Sequence, residues 1–459
     1  MHQVLLTVPV LKDWFPPDGI PIYGFGAMLF LTFVVSTFWG TRRARSVPAV
    51  GMPPDKLQDM FIWIFVAGLV GARTLYMIQY ANQFPDQSAY GLVKAFFQIW
   101  RGGIIFYGSA LGGVAGYGLF YYFVMRKMQP RVSAWQLADA MAPILAMGLA
   151  IGRVGCYLNG CCWGQVAVEE ACPVPLGGAH FPLLPAHARE QLVREQHLQT
   201  STGFTLAAPG RGPDPRSVVG AVEPGSAAAA AGLLPGDKVV RVNGRQNAMV
   251  ELLGDKTGQA AEELRKAGAD VDPGSADRVA RAYFPDFAAF VQAVDATRRA
   301  APGVTLVETD WLTELVRDWP RGRHDLTLTV QRDGQDVAIP PFTPRTVGLY
   351  PTQLYETVSM ILLIFLLLAF YPFRRHDGQL MVLCMVGYAV HRFINESLRI
   401  EPTLGGTPLT LSQWGSVVIL AAAAGIELYL WRVMPSRWAA KPAAALSSVP
   451  PGSVGQPLR

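Results

Sequence analysis

Seven stretches of the chain are long and apolar enough to cross the hydrocarbon core of a membrane. A spanning helix needs about 20 mostly apolar residues, and it satisfies its backbone polar groups internally. In the whole chain, 51% of the residues are hydrophobic and 16% are charged, a composition that argues against a soluble globular protein. The stretches are residues 21–40, 57–80, 103–125, 134–158, 354–371, 378–396 and 411–431. They predict an all-α polytopic membrane protein with seven transmembrane helices.

The basic residues between these stretches predict the orientation of the chain, because cytoplasmic loops retain Lys and Arg. They concentrate after the first, third, fifth and seventh stretches, at Arg42, Arg43, Arg45, Lys56, Arg126, Lys127, Arg131, Arg374, Arg375, Arg432, Arg437 and Lys441. We therefore expect the N-terminus outside and the C-terminus inside. These loops also account for the formal net charge of +5, so the charge indicates no nucleic-acid partner.

A long polar segment separates the fourth and fifth stretches and predicts a soluble domain inserted into the membrane core. The predicted organisation is a membrane core over 1–165, an insert over 166–345, a second part of the membrane core over 346–436, and a tail over 437–459. A loop as long as the insert is translocated largely regardless of its charge, so we expect it outside the cytoplasm. The tail is rich in Pro, Ala and Ser, which predicts a disordered cytoplasmic segment.

The order of elements in the insert resembles a PDZ domain. SVVGAVEPGSAAAAAGLLPGDKVVRVNG (217–244) predicts a strand, a short helix and a second strand joined by Pro-Gly turns. FPDFAAFVQAVDATRRA (284–300) has helical periodicity, and LTLTVQRDGQDVAIP (326–340) predicts a hairpin about Asp-Gly. The resemblance covers about 203–344 and is weakest over 249–280, where PDZ domains have a short connection. It implies a periplasmic α+β domain that adds a peptide to a sheet edge; the alternative is a domain that only covers the outer face.

Charged residues inside the predicted helices point to an anionic ligand. Arg73, Arg153 and the pair Arg392 and Glu396 lie within apolar stretches, where each charge costs on the order of 2.5–3.5 kcal/mol at the helix centre. Guanidinium groups bind phosphate through two parallel hydrogen bonds, so these arginines predict a phospholipid head-group site. Two structural alternatives stay open: an i,i+4 ion pair between Arg392 and Glu396, and an Arg153 side chain that extends to the membrane surface.

Several ordered motifs resemble those of bacterial prolipoprotein diacylglyceryl transferases. They are GRVGCYLNGCCWG (152–164), PIYGF (21–25), GARTLY (71–76), RGGIIFYG (101–108), YPTQLYE (350–356) and GYAVHRFINESLR (387–399). The resemblance covers the chain apart from the insert and the tail. It implies transfer of a diacylglyceryl group from phosphatidylglycerol to the lipobox cysteine thiol of a prolipoprotein, which forms a thioether and releases glycerol phosphate.

The resemblance also implies the location, the partners and the site residues. It implies a multi-pass protein of the bacterial inner membrane that uses no cofactor, with phosphatidylglycerol and prolipoproteins as partners and a peptide as a candidate ligand of the PDZ-like domain. Arg153 and Arg392 match arginines that bind the head group and steady the departing phosphate, and Glu396 either orients Arg392 or accepts a proton. The matched substrate-binding positions are Tyr23, Arg73, Asn159, Gly164, Tyr388 and Arg399.

Tyr107 stands where the best-studied form of the family has a histidine proposed as the general base, and Ser109 replaces a glycine beside it. A free phenol titrates near pH 10 and a thiol near pH 8.5, so an unperturbed phenol is a poor acceptor for the thiol proton. We place Tyr107 among the catalytic residues and expect it to position the lipid. The alternative, an arginine that lowers the pKa of the phenol, stays open.

The cysteines are a second departure, because Cys156 and Cys161 stand where that form has an asparagine and an acidic residue. Together with Cys162, Cys172, His180 and His187 they lack paired CxxC units, so the spacing predicts no metal site. An oxidising compartment favours a disulfide between Cys172 and either Cys161 or Cys162, with Cys156 and Cys384 as buried thiols. The attacking thiol belongs to the substrate, so none of these cysteines is predicted to be the nucleophile.

Two other functions compete with the transferase. A non-catalytic phospholipid-binding scaffold that recruits partners through its PDZ-like domain is kept open by Tyr107. An intramembrane protease is disfavoured, because the chain has neither HExxH nor GxSxG and its predicted helices offer no pair of catalytic aspartates.

Overall fold

The structure is a computed structural model. It describes residues 4–8, 20–46, 52–81, 88–97, 103, 105–128, 133–167, 178–183, 192–193, 197–207, 214–255, 258–272, 280–317, 319, 324–401, 403–404 and 406–436. The helices that precede the insert are α1 (Gly24–Ser46), α2 (Pro54–Gln79), α3 (Ala89–Phe97), α4 (Phe106–Phe123) and α5 (Ala134–Asn159). A hairpin of β1 (Val4–Val8) and β2 (Ile20–Tyr23) leads into α1. The predicted tail, 437–459, lies outside the described residues.

In the part of the chain that the structure describes, four helices lie in the insert and three long ones follow it. They are α6 (Ala227–Ala230), α7 (Gln259–Lys266), α8 (Phe287–Ala300), α9 (Trp311–Arg317), α10 (Thr352–Phe370), α11 (Gln379–Glu396) and α12 (Leu411–Val433). Among the described residues, five helices are long and apolar enough to span a membrane: α1, α2, α5, α10 and α12. α4 and α11, of 18 residues each, occupy the other two predicted stretches and do not meet this condition over their described residues. The chain is therefore a multi-pass membrane protein.

Helix α5 is the centre of the membrane core and contacts α1, α10 and α11. Its face toward α10 carries Ala142, Ala146 and Ala150, which pack on larger apolar side chains such as Met360 and Leu367. Small residues at such a face let two helices approach closely, which is the usual source of helix association in lipid. The position of α5 therefore fixes α10 and α11, the helices that carry Glu356, Arg392 and Glu396.

A buried carboxylate fixes the start of α11 at the end of the core remote from the insert. Asp139 of α5 is 1% exposed, and it accepts hydrogen bonds from the backbone N–H groups of Gly378, Leu380 and Met381 at 2.9–3.1 Å. Arg374 lies 3.4 Å from the same carboxylate. A carboxylate at a helix N-terminus satisfies orphan donors and complements the helix dipole. Asp139 thus holds the helix whose other end carries Arg392.

The insert begins as the sequence predicts. β3 (Phe204–Leu206) pairs with β4 (Val219–Val222), and a second sheet has the order β12-β11-β5-β6. Its strands are β5 (Lys238–Val242), β6 (Arg245–Gln246), β11 (Leu326–Arg332) and β12 (Gln335–Phe342). The strand, helix and strand predicted over 217–244 are confirmed as β4, α6 and β5. The predicted hairpin about Asp333 and Gly334 is also confirmed, and both residues have the positive φ that a tight hairpin turn requires.

Residues 249–309 form a second small α+β unit within the insert. Its sheet has the order β10-β7-β9-β8 and packs on α7 and α8 around a separate apolar core. Its strands are β7 (Met249–Leu253), β8 (Asp270–Asp272), β9 (Ala280–Tyr283) and β10 (Thr305–Thr309). The helix predicted over 284–300 is confirmed as α8. Residues 249–280, where the sequence predicts the weakest resemblance to a PDZ domain, contribute to this separate core.

Asn247 fixes α9 against the first sheet of the insert. Its side chain is fully buried, donates from Nδ2 to Ser217 Oγ at 3.1 Å and to the Val239 carbonyl at 3.0 Å, and accepts from the Leu312 N–H at 2.8 Å. It therefore fixes the start of α9 beside the first sheet. A buried amide satisfied in this way specifies one arrangement of the elements around it.

Candidate active site

Four chain segments meet at the end of the membrane core from which the insert emerges. The segment after α5 bonds to the start of α10 and to the end of α11: Gly164 N donates to Tyr350 O at 2.8 Å, and Gln165 N donates to Leu398 O at 2.8 Å. Thr352 at the start of α10 donates from Oγ1 to the Cys162 carbonyl at 2.7 Å. The start of α12 closes the group, since Thr410 Oγ1 lies 3.2 Å from a carboxylate oxygen of Glu396. Three of the motifs noted in the sequence are therefore neighbours in space.

Glu356 is the point at which the charged side chains converge. Its carboxylate is 1% exposed; Arg153 Nε of α5 lies 2.9 Å from Oε1, and Arg392 Nη1 of α11 lies 3.7 Å from Oε2. Arg153 thus reaches a buried carboxylate on another helix, which argues against the alternative of a side chain that extends to the membrane surface. Two guanidinium groups from separate helices are held around one carboxylate.

Glu396 extends the same network. Arg392 Nη2 lies 2.9 Å from Glu396 Oε2, and Arg399 Nε lies 3.7 Å from the same oxygen. Arg392 also donates from Nη2 to Ser412 Oγ at 2.8 Å. The i,i+4 ion pair between Arg392 and Glu396 is confirmed, but it is one part of a network that includes Glu356 and Arg399 rather than an isolated pair.

The network has an excess of positive charge. Three guanidinium groups face two carboxylates, which are 1% and 2% exposed. A third carboxylate, Glu401, lies 2.6 Å from Arg399 Nη2, but it is 39% exposed, so water screens its charge. Arg392 Nη1 is buried and has no hydrogen-bond partner among the described residues. Since a buried charge needs a partner, this arrangement is suited to an anion that carries one negative charge, such as a phosphodiester.

The other predicted site residues lie at varying distances from this network. Tyr388 is one turn before Arg392 on α11 and lies within electrostatic range of Glu356 and Arg153. Tyr23 directly precedes α1, whose Phe25 lies against Gly155 of α5, and Asn159 is the last residue of α5. Tyr107 is the second residue of α4, and its side chain is outside what the structure describes.

Arg73 is separate from the network among the described contacts. It is 4% exposed and donates to three backbone carbonyls: from Nε to Phe96 at 3.2 Å, from Nη1 to Gly103 at 2.9 Å, and from Nη2 to Ala95 at 2.5 Å. These bonds anchor the end of α3 and the chain before α4. Among the described contacts, the guanidinium groups beside Glu356 and Glu396 are those of Arg153, Arg392 and Arg399, and the substrate-binding role of Arg73 stays a prediction.

Gly164 allows the close approach of the segment after α5 to its neighbours. A Cβ atom at this position would lie 2.6 Å from the Leu398 carbonyl oxygen and 2.9 Å from Tyr350 Cβ. A backbone oxygen cannot move away as a flexible side chain can. The sequence places Gly164 among the substrate-binding positions; its contacts show a backbone position that tolerates no side chain.

We expect Gly164→Ala to destabilise the protein by about 1–3 kcal/mol, the usual effect of overpacking. Gly152→Ala in the same motif is the matched control, because a methyl group added there would meet no neighbouring atom within 4 Å. Thermal unfolding of both variants in detergent measures the effect. Equal behaviour of the two variants would contradict the packing argument.

The cysteines show one cluster and one separate thiol. The sulfur atoms of Cys156, Cys161 and Cys162 lie within 4.8 Å of one another. Cys384 is a buried thiol, as predicted, and donates to the Ala142 carbonyl at 3.5 Å; Cys156 is only partly buried, which corrects the prediction for that residue. Cys172 and His187 lie outside the described residues, so the disulfide with Cys172 stays a prediction.

Glu356 was missed in the sequence analysis, although it lies within the motif YPTQLYE. The available signal was a single carboxylate near the start of an otherwise apolar helix, where its burial demands a partner. The sequence shows such a carboxylate but does not show that two arginines more than two hundred and thirty positions apart share it.

The fold and the site define a multi-pass membrane protein that gathers three guanidinium groups at the end of its core from which a PDZ-like insert emerges. The sequence profile described as prolipoprotein diacylglyceryl transferase matches 14–201 and 303–430, more than half of the chain. The profile of the PDZ domain matches 218–268. The chain therefore belongs to the prolipoprotein diacylglyceryl transferase family and contains a PDZ domain.

Three similar proteins carry the name phosphatidylglycerol–prolipoprotein diacylglyceryl transferase. The protein of Rhodopirellula baltica is 25% identical over 455 residues, which cover 95% of this chain and 78% of the relative. The protein of Idiomarina loihiensis is 33% identical over 188 residues, which cover 40% of this chain and 64% of the relative. That of Nitratidesulfovibrio vulgaris is 29% identical over 167 residues, which cover 36% of this chain and 59% of the relative. The last two matches thus span less than two thirds of those relatives.

Proposed function

We propose that the network around Glu356 is the head-group site at which this chain, a transferase of lipoprotein biosynthesis, moves a diacylglyceryl group from phosphatidylglycerol to the lipobox cysteine of a prolipoprotein. The observation that carries the proposal is the meeting of Arg153 and Arg392, from separate helices, at one buried carboxylate. The names of the relatives and the family membership support the same reaction. Phosphatidylglycerol and a prolipoprotein are the two substrates.

The reaction is a substitution at the glycerol carbon that bears the phosphate ester. The substrate sulfur forms a bond to this carbon, the carbon–oxygen bond breaks, and its electron pair leaves on glycerol phosphate. The phosphate charge grows from −1 toward −2 as the bond breaks. Arg153 and Arg392 stabilise this charge, and such preorganised electrostatic stabilisation is commonly the largest catalytic contribution.

The carboxylates orient the arginines in this scheme. Glu356 holds Arg153 and Arg392, and Glu396 holds Arg392 and Arg399. Of the two roles left open for Glu396, orientation is favoured over proton transfer, because its carboxylate already accepts a hydrogen bond from Thr410 and pairs with Arg392 and Arg399. Tyr23, Asn159 and Tyr388 line the approach of the lipid.

All seven long helices cross the bacterial inner membrane in this proposal, with the N-terminus outside, the C-terminus inside and the insert in the periplasm. The alternation of basic loops supports the orientation. The head-group site lies at the end of the helices from which the insert emerges, and in this orientation it faces the outer leaflet. The lipid and the lipobox cysteine meet at that level. We retain the domain boundaries at 165, 345 and 436.

The PDZ domain supplies a groove for a peptide ligand. A cavity of about 650 Å³ lies between β3 and α9 and is lined by apolar side chains that include Phe204, Leu206, Leu312 and Val316. Among the described strands, β3 pairs with β4 alone, so its second edge is available to an added strand. A prolipoprotein or another periplasmic protein with an extended segment fits this groove.

Complementation tests the proposed function. A bacterial host depleted of its own diacylglyceryl transferase receives the full chain, and mass spectrometry of a reporter lipoprotein measures the thioether-linked diacylglyceryl group. We expect the wild-type chain to restore the modification and Arg392→Gln to fail at equal expression. Membrane insertion and phosphatidylglycerol binding without any thioether would instead support the phospholipid-binding scaffold.

Tyr107→Phe tests the role of the phenol. We expect the variant to retain more than half of the transferase activity, because a phenol that positions the lipid contributes mainly through its ring, whereas a proton acceptor acts through its oxygen. Tyr107→Ala removes the ring and serves as the comparison, with a larger expected loss. Near-total loss of activity in Tyr107→Phe at normal expression would overturn the positioning role.

A further inference from the structure

Three cysteine side chains gather beside the arginine network, in a place where the reaction needs an activated thiol. Cys156 lies one helical turn after Arg153 on α5, so the two side chains share a face. Cys161 and Cys162 follow the left-handed Gly160 that ends the helix, and the chain turns back there. The three sulfur atoms are within 4.8 Å of one another.

The backbone of this turn is held firmly. Cys162 has a φ of 61°, a left-handed conformation that is uncommon for a residue with a side chain. Its carbonyl accepts a hydrogen bond from Thr352 at 2.7 Å, and the Cys161 carbonyl accepts one from Gln353 at 2.5 Å. Both bonds come from the first turn of α10, the helix that carries Glu356. The scaffold that holds the arginines therefore also positions the thiols.

We propose that Cys156, Cys161 and Cys162 bind one zinc ion whose fourth position takes the lipobox thiolate of the incoming prolipoprotein. Sulfur atoms around a tetrahedral zinc ion lie roughly 3.8 Å apart, as follows from Zn–S distances of about 2.3 Å, so side-chain rotations alone bring the cluster to that spacing. Three protein ligands with one open position are the usual arrangement of a catalytic zinc site. The sequence spacing, which lacks paired CxxC units, indicated a zinc site only weakly.

The charges around the cluster favour this assignment. Zinc with three thiolates carries a net charge of −1, and Arg153 and Arg399 lie within electrostatic range of Cys162. Cationic neighbours stabilise the thiolate forms that bind metal. All three cysteines are partly exposed rather than fully buried, so a fourth ligand can reach the cluster.

A zinc ion at this place supplies a step that the arginine network lacks. The two carboxylates of the network are held by guanidinium groups, and the phenol of Tyr107 is a weak acceptor at neutral pH. A thiol that coordinates zinc loses its proton outright, and the proton goes to solvent. The zinc-held sulfur then forms the carbon–sulfur bond while the carbon–oxygen electron pair leaves on glycerol phosphate. This step rests on the proposed function, whereas zinc binding itself does not.

Metal analysis of the purified full chain tests the site directly. We expect about one zinc per chain in the wild type, none in Cys161→Ser or Cys162→Ser, and full retention in Cys384→Ser, the control thiol on α11. After replacement of zinc by cobalt(II), a lipobox peptide should change the visible absorption bands of the cobalt, and the same peptide with serine in place of cysteine should not. Copper with three sulfur ligands, or a disulfide within the cluster, would overturn the proposal.

Activity at two pH values separates this inference from the proposed function. About 3% of a free thiol is ionised at pH 7 and about half at pH 8.5, so Cys161→Ser should lose about 30-fold at pH 7 and recover about 15-fold on the shift to pH 8.5. The wild type should change less than threefold. Zinc binding without thioether formation would reject the proposed function alone. Full activity of a zinc-free chain would reject the zinc site alone. If the wild type did depend on pH and His391→Gln abolished that dependence, the proton would be assigned to His391, whose buried Nε2 lacks a described partner.

Discussion

Replacement of Arg153 by lysine should lower the rate of diacylglyceryl transfer by about 10²–10³-fold, the usual effect of the loss of one preorganised donor in a transition state. Arg153 lies 2.9 Å from Glu356 through Nε, which leaves the two terminal nitrogens of the guanidinium for a phosphate. An ammonium group is a single point of charge and cannot bond the carboxylate and two phosphate oxygens in fixed directions. Lysine keeps the positive charge, so a lower rate would show that the directions of the guanidinium hydrogen bonds matter.

Steady-state kinetics with phosphatidylglycerol vesicles and a lipobox peptide measure this effect. The maximal rate should fall more than the apparent affinity for the lipid, because lysine still attracts the phosphate in the ground state. Arg432→Lys, at the exposed end of α12, is the matched control and should behave as the wild type. A loss confined to the apparent affinity would limit Arg153 to head-group binding.

The apolar pattern of the sequence predicts the positions of the long helices, because a membrane helix must satisfy one simple condition of length and composition. All seven predicted stretches hold a helix in the structure, and five of these meet that condition among the described residues. The condition fails for α11 because His391, Arg392 and Glu396 lie within it. Charged residues are costly in lipid, so α11 meets the condition of length and composition poorly because it carries Arg392 and Glu396 of the site.

The site itself could be predicted only in part. Arg153 and Arg392 stand out because charges inside apolar helices need partners, but the partner is identified by three-dimensional proximity alone. Nothing in the motif that contains Glu356 distinguishes it from the ordinary residues at the start of a helix. Arg73 and Arg153 both lie within apolar stretches of the sequence, but Arg73 bonds to backbone carbonyls. A guanidinium that satisfies backbone groups and one that faces an anion look alike in sequence.

The fold of the insert could also be predicted only in part from the sequence. Its turns predict the hairpin about Asp333 because Asp-Gly has few alternatives in backbone conformation. Apart from the helical periodicity of 284–300, the unit over 249–309 has no such local signal, since its strands are short and its core combines residues from both ends of the segment. Long-range packing of this kind leaves little periodicity in the sequence.

Glu356→Gln should have the second largest effect, because it removes the carboxylate that both arginines share. Removal of one partner from a buried ion pair costs about 3–5 kcal/mol, and here Arg153 would lose its described carboxylate while Arg392 would keep Glu396 alone. We expect lower stability in denaturant and a loss of transferase activity of at least a hundredfold. Glu427→Gln is the control: it is 35% exposed, lies at the other end of the core, and keeps the acceptor oxygen for His376 and Gln379.

An added anion distinguishes loss of charge balance from general damage to the fold. Inorganic phosphate can partly replace the missing carboxylate between Arg153 and Arg392, so it should raise the unfolding temperature of Glu356→Gln more than that of the wild type. It should not restore transfer, because a bound phosphate occupies the place of the head group. If phosphate stabilises Glu356→Gln and Glu427→Gln equally, the excess positive charge does not reside at this site, and the head group must be sought elsewhere in the membrane core.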